Sequence, residues 1–396
     1  MARLAFVWEL GSYSGYSALI GQIAQAAVAQ GHACVFVVKD LRACAPHLPA
    51  RLGPMLQAPR AESAPGARVK IQTSYATLLH NCGYGDSDAL AVRIRAWTEL
   101  YRTLRIERVL ARHSPTAILA ARLLGLPVLH YGNGFTLPPD CAPWPSFRPD
   151  LNVASAALEH NERRVLGVVN DALARLGIRP IPSVQAIFSG VATLLLGSPE
   201  LDHYARTPTP CHVDFPPLGY GAAPEWPAGD DEARLFVSLW PGPSATGWLE
   251  LLERLPARSL VRFPADAAIE HRSERVRIAR SAVDYVAALA HCTAVVGYGS
   301  HNLAHEALLA GKPLATMAHT PDHLLLARRV QALGTGILLP ERADTQALNG
   351  IGRLLTDERL RTSAAAFAAR NRRSGSAADI VTQILEHALA AHAAPL

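Results

Sequence analysis

The chain has 396 residues, 49% of them hydrophobic and 18% charged, and a net charge of +5. That length suits two cores of ordinary domain size, and the mixture is too apolar for a disordered chain. Its basic residues are spread along the sequence, not gathered into a stripe, which argues against a nucleic-acid partner.

In chain order, residues 3–8 form a short buried-strand run. A loop with Gly11 and Gly15 follows, then a helical pattern from Ala18 to Gln30 and a second apolar run, Ala33 to Val38. Strand, glycine loop, helix and strand are the opening of a parallel α/β sheet. The pattern continues as a helix around Ala89 to His113, a strand at Thr116 to Ala120 with a short helix after it, and a strand at Pro127 to Tyr131. Pro138 to Pro149, crowded with proline and carrying Trp144 and Phe147, reads as a surface excursion that could form an apolar wall or simply pack. Leu158 to Leu176 is helical, and Thr193 to Leu196 closes the first half.

Between Thr207 and Gly229 the sequence is dense in proline and glycine, as an interdomain linker would be. A second alternation follows, with strands predicted at Leu235–Leu239, Ser259–Arg262, Val276–Ile278, Ala294–Val296, Pro313–Thr316 and Gly336–Leu338. The expected fold class is α/β, with two Rossmann-like domains: residues 1–215, residues 216–375, and a last helix from 376 to 396 that could pack back on the first domain.

Six cysteines lie far apart without a Cys-x-x-Cys pair, consistent with free thiols, and no metal site is expected. Glu9 cuts the apolar run Leu4–Trp8 short of a signal-peptide core, and no run approaches the ~20 apolar residues of a membrane span. The expected location is the cytoplasm, with a peripheral membrane contact left open.

The segment richest in chemistry runs from Ala294 to Pro313: a strand, the small-residue turn Gly297-Tyr298-Gly299-Ser300, and a helix. Such a turn presents backbone N–H groups at the positive end of a helix, which suits a diphosphate. Glu306, one to two turns in, can accept hydrogen bonds from a ribose. This segment resembles the donor signature of the UDP-glucuronosyltransferase-like glycosyltransferases, His-Gly-Gly-x-Gly-Thr-x-x-Glu followed by Ala-Leu and Gly-x-Pro. Aligned on Glu306, Gly299 and Ser300 take the two glycines and Asn302 the Gly/Asn position, while Asp322-His323 stands where the family holds sugar hydroxyls with Asp/Glu-Gln. Trp8–Gly11, Asn81–Gly83, Pro115–Ala117, Gly132–Phe135 and Pro199–Tyr204 also resemble segments of bacterial members.

The resemblance implies a GT-B type fold, two Rossmann-like domains facing across a cleft, and an inverting transfer of a hexose from a UDP-type nucleotide sugar to a hydroxyl of a small-molecule, lipid or carbohydrate acceptor. No cofactor beyond the donor is implied. Donor-site residues would be Tyr298, Gly299, Ser300, His301, Asn302, Glu306, Asp322 and His323; Asn133 and Phe135 would face the acceptor. The chain departs from the family at three positions. Tyr16 stands where the family's catalytic histidine is expected, Arg112 where an acid orients it, and Tyr298 where a histidine meets the phosphates. A phenol titrates near 10 and is a poor base at neutral pH, so His113, beside Arg112, is the first substitute, with His80 and His130 behind it. Two alternatives stay open: a catalytically weakened relative that binds nucleotide or glycan or partners an active transferase, and an epimerase acting on the nucleotide sugar alone. Arg372-Arg373 reads as a solvated helix end.

Overall fold

The structure, a computed structural model, describes residues 1–11, 15–60, 68–217, 221–229, 233–242, 244–263, 269–271, 273–373 and 375–396, with Gly15 and Tyr16 described only as part of a helix. The chain divides into two compact units. Unit 1 comprises Met1–Leu196, Arg206–Pro216 and Ala377–Leu396; unit 2 comprises Gly197–Ala205 and Pro217–Ser376.

Unit 1 is built on seven strands: β1 (Arg3–Trp8), β2 (Ala33–Val38), β3 (Met55–Gln57), β4 (Arg108–Arg112), β5 (Val128–Gly132), β6 (Ala192–Leu196) and β7 (His212–Val213). All pairings are parallel, in the order β3-β2-β1-β4-β5-β6-β7. The near-continuous apolar runs in β1 and β2 follow from this, because a parallel strand is covered on both faces. On one face Phe6, Trp8, Phe36 and Val38 pack with Ile20, Ile23 and the helix Ala377–Ala390; on the other Val7, Val37 and Ala111 pack with Trp97 and Ile118.

Two predicted elements are corrected. The helix read over Ala89–His113 is the helix Ser87–Thr103 followed by β4, the break falling where Arg105 takes a left-handed φ of 52°. The strand read at Thr116–Ala120 is the helix Pro115–Leu123. Proline at its first turn suits a helix start, and burial on every side removed the alternating face that marks a surface helix.

Unit 2 is a six-stranded parallel sheet: β8 (Ala233–Ser238), β9 (Ala257–Arg262), β10 (Val276–Ile278), β11 (Ala294–Gly297), β12 (Leu314–Met317) and β13 (Gly336–Leu339), in the order β10-β9-β8-β11-β12-β13. Residues 197–205, read as part of the first domain, lie with this unit. Leu201 is buried in its core, and Glu200 is clasped by Arg370 and Asn371, with its carbonyl accepting from Arg329.

The C-terminal helix belongs to unit 1. Ile380, Val381, Ile384 and Leu385 enter its core, and Arg108 and Arg122 donate to the carbonyls of Ala391, Ala394 and Pro395. Uncovering four such side chains forfeits about 2 kcal/mol each, a sum comparable with the whole stability of a domain. Deletion of residues 377–396 is therefore expected to leave unit 1 without a cooperative thermal transition, which calorimetry of the truncated chain would show. Among the described residues no helix is long and apolar enough to cross a membrane.

Candidate functional site

In an open parallel sheet, ligands bind outside the carboxyl ends of the strands where the strand order reverses. In unit 2 that point lies between β8 and β11, with Gly297 in register with Ser238. The two chains emerging there carry Trp240, which is 44% exposed, and Tyr298, whose rings meet edge to face at 5.4 Å.

The turn after β11 is tightly constrained. Gly299 has φ +83°, and a Cβ there would lie 2.6 Å from Cβ of His323. Ser300 is the N-cap of the helix His301–Leu309 in extended backbone, yet its side chain makes no capping hydrogen bond to the first-turn amides. Its hydroxyl lies instead beside the Tyr298 phenol, close enough to act on it. Burial pushes the Tyr298 phenol up, only partly opposed by the charge of Arg262 and that hydroxyl, so it is a neutral group at physiological pH.

The helix Pro321–Ala332 brings in the second cluster. Thr320 caps it by accepting from the amide of His323, and proline occupies its first turn, so Asp322 and His323 sit at its start. The His323 ring packs on Tyr298 at 5.6 Å. Asp322 Oδ1 lies 2.7 Å from Nε2 of His203, and His203 stacks on His301 at 5.2 Å with an interplanar angle of 21°. Burial would raise the Asp322 carboxyl, but its bond to His203 and the neighbouring imidazoles outweigh this and hold it below the usual carboxylate range.

Asn302 is half-buried in the first turn of the helix His301–Leu309. Glu306 is buried, and Nη2 of Arg373 reaches its Oε1 at 2.5 Å. The reading of Arg373 as solvated is thus corrected: its side chain is only a fifth exposed because it balances a buried carboxylate. His305, also buried, is pushed down to about 3, by desolvation first and then by the Arg373 charge.

The buried histidines make stability depend on pH. His130 and His305 are depressed to about 3 and His323 to about 4, chiefly by burial, against 6.5 in an open chain. Between pH 6.5 and about 3 to 4 the unfolded chain gains protons that the folded chain refuses, so their stabilisation is present above 6.5 and is lost as pH falls. The urea midpoint should drop across that window, and His305→Gln should flatten the slope; an unchanged slope would discount the histidine.

In unit 1 the strand order reverses between β1 and β4. Trp8 and Arg112 are in register there, and the loops beyond are stitched by the amide of Leu10 donating to the carbonyl of His113. His113 has φ 45°, a conformation that few non-glycine residues hold without a surrounding constraint, and is buried between Tyr75 and Phe135. Arg112 is fully buried with its guanidinium 5.6 Å from the centroid of the Tyr131 ring, so it is not a solvated partner for an imidazole. His130 is stacked on Phe188 at 5.3 Å.

Asn133 caps a short turn by accepting from the amide of Thr136, and Phe135 packs on Phe147. Trp144 and Phe147 are buried: the Trp144 indole donates to the carbonyl of Pro139, and the Phe147 amide to that of Thr73. The proline-rich excursion is therefore packed into the unit. The side chain of Tyr16, and residues 12–14 of its loop, lie outside the described residues.

Sequence reading missed Trp240, His203, Arg262 and the buried acid Glu9. Glu9 accepts from the Thr116 amide and pairs with Arg93, and burial, outweighing both, raises its carboxyl. Its place directly after a buried strand was the available signal. Among the described residues no group of three or more His, Cys, Asp or Glu could hold a metal ion.

Residues 251–387 match the family model described as the C-terminal domain of erythromycin biosynthesis protein CIII-like proteins. A 105-residue stretch is 35% identical to demethyllactenocin mycarosyltransferase of Streptomyces fradiae, taking in 25% of this chain and 23% of that relative. Among solved structures, the calicheamicin glycosyltransferase CalG4 is similar with a TM-score of 0.70 at 17% identity, over 98% of both chains. The glycosyltransferase SnogD of Streptomyces nogalater gives 0.62 at 19% identity, over 97% of this chain and 99% of that one. VinC, solved in complex with dTDP, gives 0.66 at 14%, over 98% and 99%. These findings bear out the resemblance and the two-sheet α/β class read from the sequence.

Proposed function

We propose, from a chain with the GT-B fold whose residues 251–387 match the erythromycin-biosynthesis-CIII-like domain, that this protein is a glycosyltransferase moving a hexose from a nucleoside diphosphate to a hydroxyl acceptor. The observation that carries this is the turn Tyr298-Gly299-Ser300 at the strand-order reversal of unit 2, with Glu306 behind it and Asp322-His323 packed against it. The first-turn amides of the helix His301–Leu309 would take the diphosphate, and their preorganised dipoles would stabilise the charge developing on the leaving group. Glu306 would accept from the nucleoside sugar, Asp322 and His323 would hold hexose hydroxyls, and the exposed face of Trp240 would stack on the base. The resemblance in sequence points to uridine as that base, while the dTDP bound to VinC supports thymidine.

On unit 1 His113 would serve as base toward the acceptor, with Asn133 and Phe135 as its supporting neighbours. A catalytically weakened relative is the second reading, favoured by the sealed Arg112 at the position of the orienting acid. Titration with UDP and dTDP tests the donor site: nucleotide should quench Trp240 fluorescence, and Trp240→Ala should weaken binding by about tenfold, in line with base-aromatic stacking of about 1–3 kcal/mol. Binding without donor hydrolysis or transfer to any of a broad acceptor panel would decide for the second reading. Conversion of UDP-GlcNAc to its epimer without acceptor would decide for an epimerase.

A further inference from the structure

We infer that His203 is a positioning residue for donor-sugar recognition, aiming the Asp322 carboxylate at the hexose; this rests on the donor-site reading above. The His203 side chain is wholly buried, and its Nε2 is placed 2.7 Å from Oδ1 of Asp322, close enough for the imidazole to hold that oxygen. A carboxylate in the first turn of a helix would otherwise turn toward the helix's own amides. Fixing one oxygen against an imidazole fixes the plane of the carboxylate and therefore the direction of the other oxygen.

The same ring stacks on His301, the first residue of the helix whose amides face the diphosphate. One side chain thus braces both halves of the site, the diphosphate turn and the sugar-binding dipeptide. It can do so because its segment is anchored. Ser198 donates to Asn371, Glu200 is held by Arg370, Asn371 and Arg329, and Leu201 is buried in the unit 2 core. On the other side His323 fills the space beside Gly299, so the Asp322-His323 pair is gripped from both ends. A brace that served packing alone would not need a ring nitrogen 2.7 Å from the carboxylate.

The test compares calorimetric Kd values for dTDP with those for dTDP-glucose and dTDP-rhamnose, in wild type, His203→Ala, His203→Gln and Asp322→Asn. The ratio of Kd without and with sugar isolates the hexose contribution. His203→Ala should lower that ratio about tenfold while leaving the dTDP Kd within about twofold, as expected for one charge-assisted hydrogen bond lost from the sugar alone. His203→Gln, which keeps an N–H donor, should recover most of it. Asp322→Asn, close in shape to the native residue, should lower the ratio as much as His203→Ala, with no further loss in the double variant. A ratio unchanged in His203→Ala, whatever Asp322→Asn does, equal weakening of dTDP and dTDP-sugar, or a wild-type ratio near one with both sugars overturns the role of His203. Failure of the wild type to bind even dTDP or UDP overturns the donor-site reading itself, a different result from any of these.

Discussion

Gly299→Ala should weaken nucleoside diphosphate binding by at least about thirtyfold while unit 1 keeps its own unfolding transition. Two independent costs meet at this position. Its φ of +83° is a left-handed conformation that an L residue adopts at about 1–2 kcal/mol, and the added methyl carbon would stand 2.6 Å from Cβ and 3.0 Å from Cα of His323. Forcing a methyl into such a packed space costs about 1–3 kcal/mol more. The His323 backbone is fixed by the Thr320 cap, so the turn must give way, and the turn is what would present amides to the diphosphate. Since about 1.4 kcal/mol is a factor of ten, a loss of even 2 kcal/mol gives the stated effect. Shortening His323 to glycine in the same chain should relieve only part of it, because Cα remains in the way. Calorimetric titration with dTDP and UDP measures the loss; a Kd within twofold of wild type would remove this turn from the donor site.

Separating Glu306 from Arg373 should cost stability and function in different proportions. Glu306 is nearly inaccessible while the Arg373 side chain retains a fifth of its exposure. Removing the arginine therefore strands a buried charge, whereas removing the glutamate leaves a cation that can turn toward water. Arg373→Met is expected to destabilise unit 2 by about 3 kcal/mol and Glu306→Leu by somewhat less, near the lower end for a broken buried pair. The double variant should regain most of that stability, as apolar replacements of buried pairs do, without regaining nucleotide affinity. Urea unfolding gives the first quantity and titration with dTDP and UDP the second. Wild-type affinity in the double variant would show that Glu306 does not receive the nucleoside sugar.

The strands of unit 2 and most of the longer ones of unit 1 were legible because parallel strands covered on both faces leave continuous apolar runs bounded by turn residues, whereas β3 and β7, three and two residues long, leave no such run. Ala33–Val38 and Val276–Ile278 fall at the predicted limits. Legibility failed between Leu104 and Leu123, where Val109-Leu110-Ala111 and Ile118-Leu119-Ala120 are equally apolar and equally buried. Periodicity cannot separate a buried strand from a buried short helix, although Pro115 marked the helix start. The local part of the candidate site could be read for a similar reason: Gly299, Ser300 and Glu306 sit on one strand-turn-helix unit. Trp240, His203 and Arg373 come from separate segments, and only the folded chain shows that each meets that unit or its neighbour.

The path of the chain also constrains any attempt to exchange donor specificity by grafting. It passes from one unit to the other after Leu196, returns after Ala205, leaves again after Pro216 and comes back for good after Ser376. A chimera spliced only near Pro217 would inherit residues 197–205 from the recipient and Asp322 from the other parent, mating a foreign imidazole with the Asp322 carboxylate. Replacing unit 2 is therefore a four-junction transplant, and residues 377–396 must stay with the recipient so that its own core can close.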